Sequence, residues 1–380
     1  MGLHQRLVEG RLRLGWGFRS DDVHMYGFDN GRSTTEARNY LGYSSYLRDV
    51  RPILNDPRSH PLTENKWVFY RLASGSGLPI PYTLGLFDAV FGVTWEGRPL
   101  RTTEQLLSTI DGVRPNGLVI KPAGGQRGRN LLILENIDYV SGTARTRRGD
   151  DVDLGQTIAE LSVEEDMRGY RGYIVQKLLE QHPFFADFGP TTANTVRVIT
   201  LLSTDGEALI PFATTRLGRV GCMVDSWAQG GVSVAIDVAT GTLGPGIMKA
   251  KLGEGWVEVH PDTQKRFRGC QVPFWPDVLS TVRRAARVAP GIQSIGWDVL
   301  ITPDGPVLLE ANGDWDLQGA QIHTEGWLAL PGIRDEFHRH GVELPDGRMA
   351  RSALHAAKHR GSRLVQKKGR QIQTAVGSRT

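Results

Sequence analysis

Residues 296–312 read GWDVLITPDGPVLLEAN and place three oxygen-bearing side chains, Asp298, Glu310 and Asn312, on two short apolar runs. Between the runs lies Pro303-Asp304-Gly305, where Pro presets φ and Gly accepts positive φ, so the segment is expected to be a β-hairpin. A three-residue loop closed by Gly305 pairs Thr302 with Pro306, Leu300 with Leu308 and Asp298 with Glu310. Asn312 then shares their face, because side chains alternate along a strand. Like charges directly opposed destabilise a pair, so something positive is expected between the two acids. A two-residue loop would slip the register by one and send Asp298 to the other face. Oxygen donors at this density suit Mg²⁺, which keeps several waters and takes one or two carboxylates plus substrate phosphates. The plain alternative is a solvated sheet face, against which Leu308, Leu309 and Ala311 leave few polar positions on the strand.

Other segments offer cations and phosphate-friendly backbone. LVIKPAGGQRGRN sets Lys121 on a strand and follows it with Gly124, Gly125 and Gly128. Glycines there let backbone N–H groups approach phosphate oxygens, although a surface turn needing positive φ explains them equally. The spacing is not that of a Walker loop. YIVQKLLEQHP has buried-strand character that turns polar, so an adenine could lie along its backbone with Glu180 reaching a ribose hydroxyl; alternatively it is only a strand edge. Arg197 in NTVRVIT and Arg216 in TTRLG stand among β-branched residues, each able to neutralise a phosphate or developing oxyanion or to serve as half of an ion pair. SWAQGG, with Ser226 and Gln229, fits a site loop or a glycine turn. No nucleophile elbow, H-E-x-x-H helix or zinc cluster occurs, and His182, His260 and His323 are scattered.

The elements that must hold these groups are mostly strands. NKWVFYRLASGSGLPIP suggests a helix ending at Gly75-Ser76-Gly77. Strands follow over 117–134 around the glycine loop, over 173–179, over 194–203, and on through PFATTRLG, GGVSVAIDVATGTLG and WVEVH. A helix across Trp275–Val288 precedes the hairpin. Sequential strands with hairpin-length connections and helices at intervals indicate an α+β protein rather than a parallel, doubly wound one.

With 380 residues and 39% hydrophobic content, the chain can build two or three cored lobes. No apolar run is long enough for a membrane span, and the amino terminus lacks the uninterrupted apolar stretch of a signal peptide, so a cytoplasmic address is expected. Cys222 and Cys270 have neither metal-ligand spacing nor disulfide density and are read as structural. The formal charge is +4, yet the 351–380 stretch alone carries eight Lys/Arg and no acid, which leaves 1–350 mildly acidic. Nucleic-acid binding by the folded part is therefore not expected. A weak contact of 351–380 with an anionic lipid or polymer surface stands as an alternative to a plain solvated tail.

Taken in order, these stretches resemble the ATP-grasp superfamily, and NTVRVITL, VDSWAQGG, HPDTQKRFRG, VPFW and IGWDVL look most like its sugar-transfer-associated branch, related to α-L-glutamate ligases. The resemblance spans about residues 61–330. It implies an ATP-grasp fold, two α+β lobes gripping ATP, with a helical lead over 1–60, a core over 61–112 and 181–330, a lid over 113–180, and a helical, basic tail over 331–380. It implies Lys66 and Lys121 as nucleotide lysines, Gly124 and Gly125 in the lid loop, Gln176, Lys177 and Leu179 at the adenine hinge, and Glu180 at the ribose. Asp298, Glu310 and Asn312 would hold Mg²⁺, with Mn²⁺ as a substitute. Two departures stand out: Gln176 where many members carry an acid, and Gly296 where many carry an arginine, which leaves the oxyanion role to Arg197 or Arg216. The activity implied is ATP-dependent joining of a small-molecule or peptide carboxylate to an amine or thiol through an acylphosphate, in surface polysaccharide or natural-product assembly. A phosphotransferase acting on a hydroxyl, or a non-catalytic ATP-binding partner protein, remains open.

Overall fold

The computed structural model describes residues 3–347, apart from 126–127, 162–168, 190–192, 223–224, 226, 228–229 and 250–254. The basic stretch 351–380, and Ser226 and Gln229 of SWAQGG, lie outside the described residues. The chain divides into two compact units, Asn55–Trp315 and Met1–Leu54 with Asp316–Thr380. In the second of these the helices Leu3–Trp16 and Ser20–Met25 bring their apolar faces to a core that includes Leu12, Phe18, Val23, Tyr26 and Tyr40.

The Asn55–Trp315 unit carries two seven-stranded sheets. The first comprises β1 (Thr83–Phe87), β2 (Val93–Thr94), β3 (Gly117–Pro122), β4 (Leu132–Asp138), β5 (Thr143–Thr146), β6 (Asp151–Asp153) and β7 (Tyr173–Lys177), in the order β2-β1-β7-β3-β4-β5-β6. The second comprises β8 (Thr195–Leu202), β9 (Ala208–Leu217), β10 (Val232–Ile236), β11 (Leu243–Ile247), β12 (Trp256–Val257), β13 (Ser294–Thr302) and β14 (Gly305–Asn312), in the order β12-β11-β10-β9-β8-β13-β14. Every described pairing is antiparallel, as the α+β expectation requires. β7 ends at Lys177, so Leu179 and Glu180 lie past the strand expected over 173–179.

Two helices brace the second sheet. Lys66–Gly75 starts on Asn65, whose side-chain oxygen accepts from the backbone N–H groups of Trp67 and Val68 at 3.0 and 3.3 Å and so satisfies two orphan donors. It turns Phe69, Tyr70 and Ala73 into the core. Trp275–Ala285 buries Trp275, Val278, Val282 and Ala285, one stripe at helical spacing, and ends three residues short of the expected Val288. Pro290 follows closely, and proline disfavours helical backbone just before it.

The hairpin corrects the sequence reading. Thr302 pairs with Gly305, Ile301 with Pro306, Leu300 with Val307 and Val299 with Leu308, so the loop has two residues, Pro303 and Asp304, rather than three. Carried along unbroken, that register would turn Asp298 away from Glu310. A bulge intervenes: Leu309 is an extra residue on β14, and beyond it Asp298 pairs with Glu310 and Gly296 with Asn312. The expected pairing of the acids is present, but a bulge produces it, which is the way bulges re-aim side chains beside active sites.

Candidate active site

The row of residues crossing β8, β13 and β14 is Arg197, Asp298, Glu310. Asp298 is only 6% exposed, and the positive groups expected beside the acids include two arginines that bind it. Arg197 clasps it with two parallel bonds, Nε to Oδ1 at 2.5 Å and Nη2 to Oδ2 at 2.9 Å. Arg216, on the next strand but one, reaches Oδ1 with Nη2 at 2.9 Å. Burial alone would raise the Asp298 carboxyl, but the two guanidiniums outweigh it and hold its pKa down to about 2. Arg216 has a second counterion: its Nε lies 3.5 Å from Asp225 Oδ2, and its Nε and Nη2 donate to Thr195 Oγ1 at 3.2 and 2.8 Å. Asp225 in turn accepts from the Thr195 backbone N–H at 2.9 Å and hydroxyl at 2.5 Å.

Glu310 has a different partner. Lys66, the first residue of its helix, puts Nζ 3.3 Å from Glu310 Oε1 and donates to the Gly125 carbonyl at 2.5 Å, while its backbone N–H donates to Ala123 O at 2.8 Å. One lysine thus touches both the glycine loop and the acidic hairpin. A parallel link runs through Tyr70, one turn along the same helix. Lys121 on β3 donates to the Tyr70 hydroxyl at 2.8 Å, and that hydroxyl donates to the carbonyl of Leu309, the bulge residue, at 2.6 Å. Burial pushes the Tyr70 phenol well above its ordinary value, so it stays a donor. Burial also lowers the Lys121 pKa, with Glu310 and Asp298 opposing. The bulge that aims Glu310 is therefore pinned from β3, through Lys121 and Tyr70.

Asn312 directs Nδ2 to the Gly296 carbonyl at 3.2 Å and to Asp298 Oδ2 at 3.4 Å, so both contacts use the nitrogen of its amide. Gly296 has no room for a side chain: a Cβ there would sit 2.7 Å from Trp315 Cβ and 3.2 Å from the Arg197 Nη1. Arg197, from the neighbouring strand, brings its guanidinium beside Gly296.

The hinge is less convergent. Gln176 is buried in the first sheet, donating to Thr83 Oγ1 at 2.9 Å. Lys177 lies over the Tyr82 ring at 4.3 Å, Leu179 is half-buried and Glu180 is exposed. In the glycine loop, Gly124 is buried and Gly128 has φ +67°, the conformation that argues for glycine at that turn. Sequence reasoning missed Tyr70, Thr195 and Asp225. Tyr70 stands four residues after Lys66, the helical spacing that puts two side chains on one face, and that signal was readable. Thr195 meets Arg216 through strand pairing across β8 and β9, and Asp225, beyond the end of β9, reaches both through its carboxylate; the sequence carries no local sign of either.

The donor set fits a hard divalent cation held partly by protein. Two carboxylates and an amide oxygen share one face, and among the described residues no group of three or more His, Cys, Asp or Glu forms an all-protein cage. Mg²⁺ is usually bound in this way, with waters and substrate phosphates completing its shell.

A family model described as sugar-transfer associated ATP-grasp matches residues 47–330. A comparison with curated proteins found no match. Among solved structures, the chain is similar to the biotin carboxylase domain of 2-oxoglutarate carboxylase from Hydrogenobacter thermophilus, at 11% identity and TM-score 0.44, over 77% of this chain and 48% of that one. It is likewise similar to N5-carboxyaminoimidazole synthase from Aspergillus clavatus, at 12% identity and TM-score 0.43, over 77% and 55%. With the D-alanine-D-alanine ligase of Coxiella burnetii the values are 11% and 0.35, over 82% and 64%. The chain spans about half the length of the solved structures it matches first. Because the family model covers most of the sequence, the chain belongs to the sugar-transfer associated ATP-grasp family.

Proposed function

We propose that the protein is an ATP-dependent ligase that joins a carboxylate to an amine or thiol through an acylphosphate, in the assembly of a surface polysaccharide, natural product or peptide. The observation that carries this reading is the position of Lys66, bonded at once to Gly125 and Glu310, which brings the glycine loop, a lysine and the acidic hairpin to one site. Around it, four cationic side chains (Lys66, Lys121, Arg197 and Arg216) face three carboxylates (Asp225, Asp298 and Glu310), a balance that suits a polyphosphate.

In the proposed reaction a carboxylate oxygen of the acid attacks the γ-phosphorus and the bond to the bridging oxygen breaks, releasing ADP. The nucleophile then attacks the acyl carbon, phosphate leaves, and the proton of the amine or thiol is lost. Lys66 and Lys121 orient the phosphates, and the loop with Gly124 and Gly125 covers them and keeps water from the acylphosphate. Lys177 and Leu179 border the adenine, with Gln176 fixing the hinge strand against Thr83, and Glu180 accepts from the ribose. Arg197, standing over Gly296, is the group assigned to the charge that develops on transfer, with Arg216 behind it. Glu310 and Asn312, with Asp298, would hold Mg²⁺ or Mn²⁺, whose charge would offset that of the phosphates. No side-chain nucleophile is required.

The test is release of ADP from ATP and Mg²⁺ over a panel of acids and amines. Glu310→Ala is expected to abolish it, and ADP release untouched by that change would remove Glu310 from the metal site. Free phosphate as co-product distinguishes a ligase from a kinase, which leaves its phosphoryl group on the acceptor.

A further inference from the structure

Asp298 occupies two positions at once in the reading above: it is a metal ligand by its place on the hairpin, and it is already the counterion of two arginines. A carboxylate has about four lone-pair directions. Three guanidinium contacts, two from Arg197 and one from Arg216, fall on Asp298. A cation that engages Asp298 therefore competes with a guanidinium, and the two arginines differ in what they have to fall back on. Arg197 is bound in a bidentate clasp. Arg216 makes one contact and stands beside a second carboxylate, Asp225, and the hydroxyl of Thr195.

We propose that Asp225 is a positioning residue that holds Arg216 as the standing alternative counterion, so that Asp298 can pass to the metal while Arg216 stays in the site. This rests on the ATP and Mg²⁺ reading of the site and adds to it a residue with no contact to nucleotide or metal. The local bonds make Asp225 a rigid support. Thr195 donates both its backbone N–H and its hydroxyl hydrogen to Asp225 Oδ2, and the same hydroxyl oxygen accepts from Arg216. Thr195 and Arg216 are also register partners on β8 and β9, so strand pairing fixes those two together and the two bonds from Thr195 hold Asp225 against them. Loading of the metal is then an exchange of counterions inside a buried cluster whose charge stays balanced, rather than the stranding of a guanidinium away from water.

The consequence is read in metal dependence rather than in turnover. Mg²⁺ is titrated by calorimetry against the full chain with a fixed concentration of a non-hydrolysable ATP analogue. Asp225→Asn is expected to raise the half-saturating Mg²⁺ about tenfold, within the range of coupling between contacting groups. Mere loss of a negative charge near a cation site would also weaken Mg²⁺, so the second background decides. In Arg216→Gln, the further change Asp225→Asn is expected to leave the half-saturating Mg²⁺ where Arg216→Gln alone put it. An equal shift in both backgrounds, or no shift in either, overturns the proposal. Should Asp225→Asn alone fail to fold, Thr195→Val, which removes the hydroxyl that joins Asp225 to Arg216, takes its place in both backgrounds under the same criterion. A wild-type chain that takes up no nucleotide with Mg²⁺ overturns the ligase reading itself, whereas normal wild-type binding with an unmoved Asp225→Asn removes the positioning role alone.

Discussion

Asp298 and Glu180 are both acids assigned to nucleotide chemistry, and they stand in opposite physical situations. Asp298 lies inside the second sheet with its charge met by two guanidiniums. Glu180 lies past the end of β7, exposed to water. A buried charge must find its partners within the chain, because leaving it unpaired costs several kcal/mol, so the fold itself supplies what Asp298 works with. An exposed charge is satisfied by water, and nothing in the fold commits it before a ligand arrives. On the proposed assignment, the catalytic end of the site is built by folding and the hinge end would be completed by binding.

The largest effect expected from this contrast is on folding. Asp298→Ala leaves two guanidiniums around the space of the lost carboxylate, and a loss of about 3–5 kcal/mol is expected from urea unfolding. A loss below about 1 kcal/mol would mean that the arginines are not held by this acid. Acidity provides the same test without a substitution. Burial alone would raise the Asp298 pKa, but Arg197 and Arg216 bring it down from 3.8 to about 2. A depressed carboxyl contributes stability that is complete above the unfolded value and is lost as pH falls through the folded one, so the contribution disappears between about pH 4 and pH 2. Asp225 works the other way, since burial raises it despite Arg216 and Thr195, and its protonation on acidification eases rather than weakens the fold. Asp298→Asn is expected to flatten the acid limb of the stability profile.

Much of the catalytic end could be read from residue order. The two acids, Asn312, both lysines and both arginines come together, because apolar strands with isolated polar positions leave few alternatives for those side chains. The reason for the Asp298–Glu310 pairing was not legible. Turn chemistry at Pro303-Asp304-Gly305 allowed either loop length, and the bulge at Leu309 depends on Tyr70 and Lys121, which are distant in sequence. The partnership of Arg216 with Asp225 was hidden for the same reason. Tyr70→Phe breaks the link that holds the bulge, leaving the Leu309 carbonyl without this donor and Lys121 without this acceptor. A loss of about 1–3 kcal/mol is expected in the same unfolding measurement. Because the bulge sets which way Glu310 points, the variant should also need more Mg²⁺ for nucleotide binding. Wild-type metal dependence in a destabilised Tyr70→Phe would separate the bulge from the aim of Glu310.

The smallest change in stability is expected at the hinge, and there the contrast is sharpest. Glu180→Ala removes an exposed side chain beyond a strand end, so unfolding should shift by no more than about 0.5 kcal/mol. If Glu180 accepts from the ribose, one hydrogen bond to a charged group is lost, and the dissociation constant for ATP should rise about tenfold. A deoxyribose analogue lacking the hydroxyl in question should bind wild type and variant alike, because the acid then has nothing to accept from. Set beside Asp298→Ala, whose largest effect is on folding, this separates an acid that matters before ligand arrives from one that matters only afterwards. A Glu180→Ala variant that binds ATP normally would break the contrast at its exposed end, leaving the adenine side of the site to Lys177, Leu179 and the backbone between them.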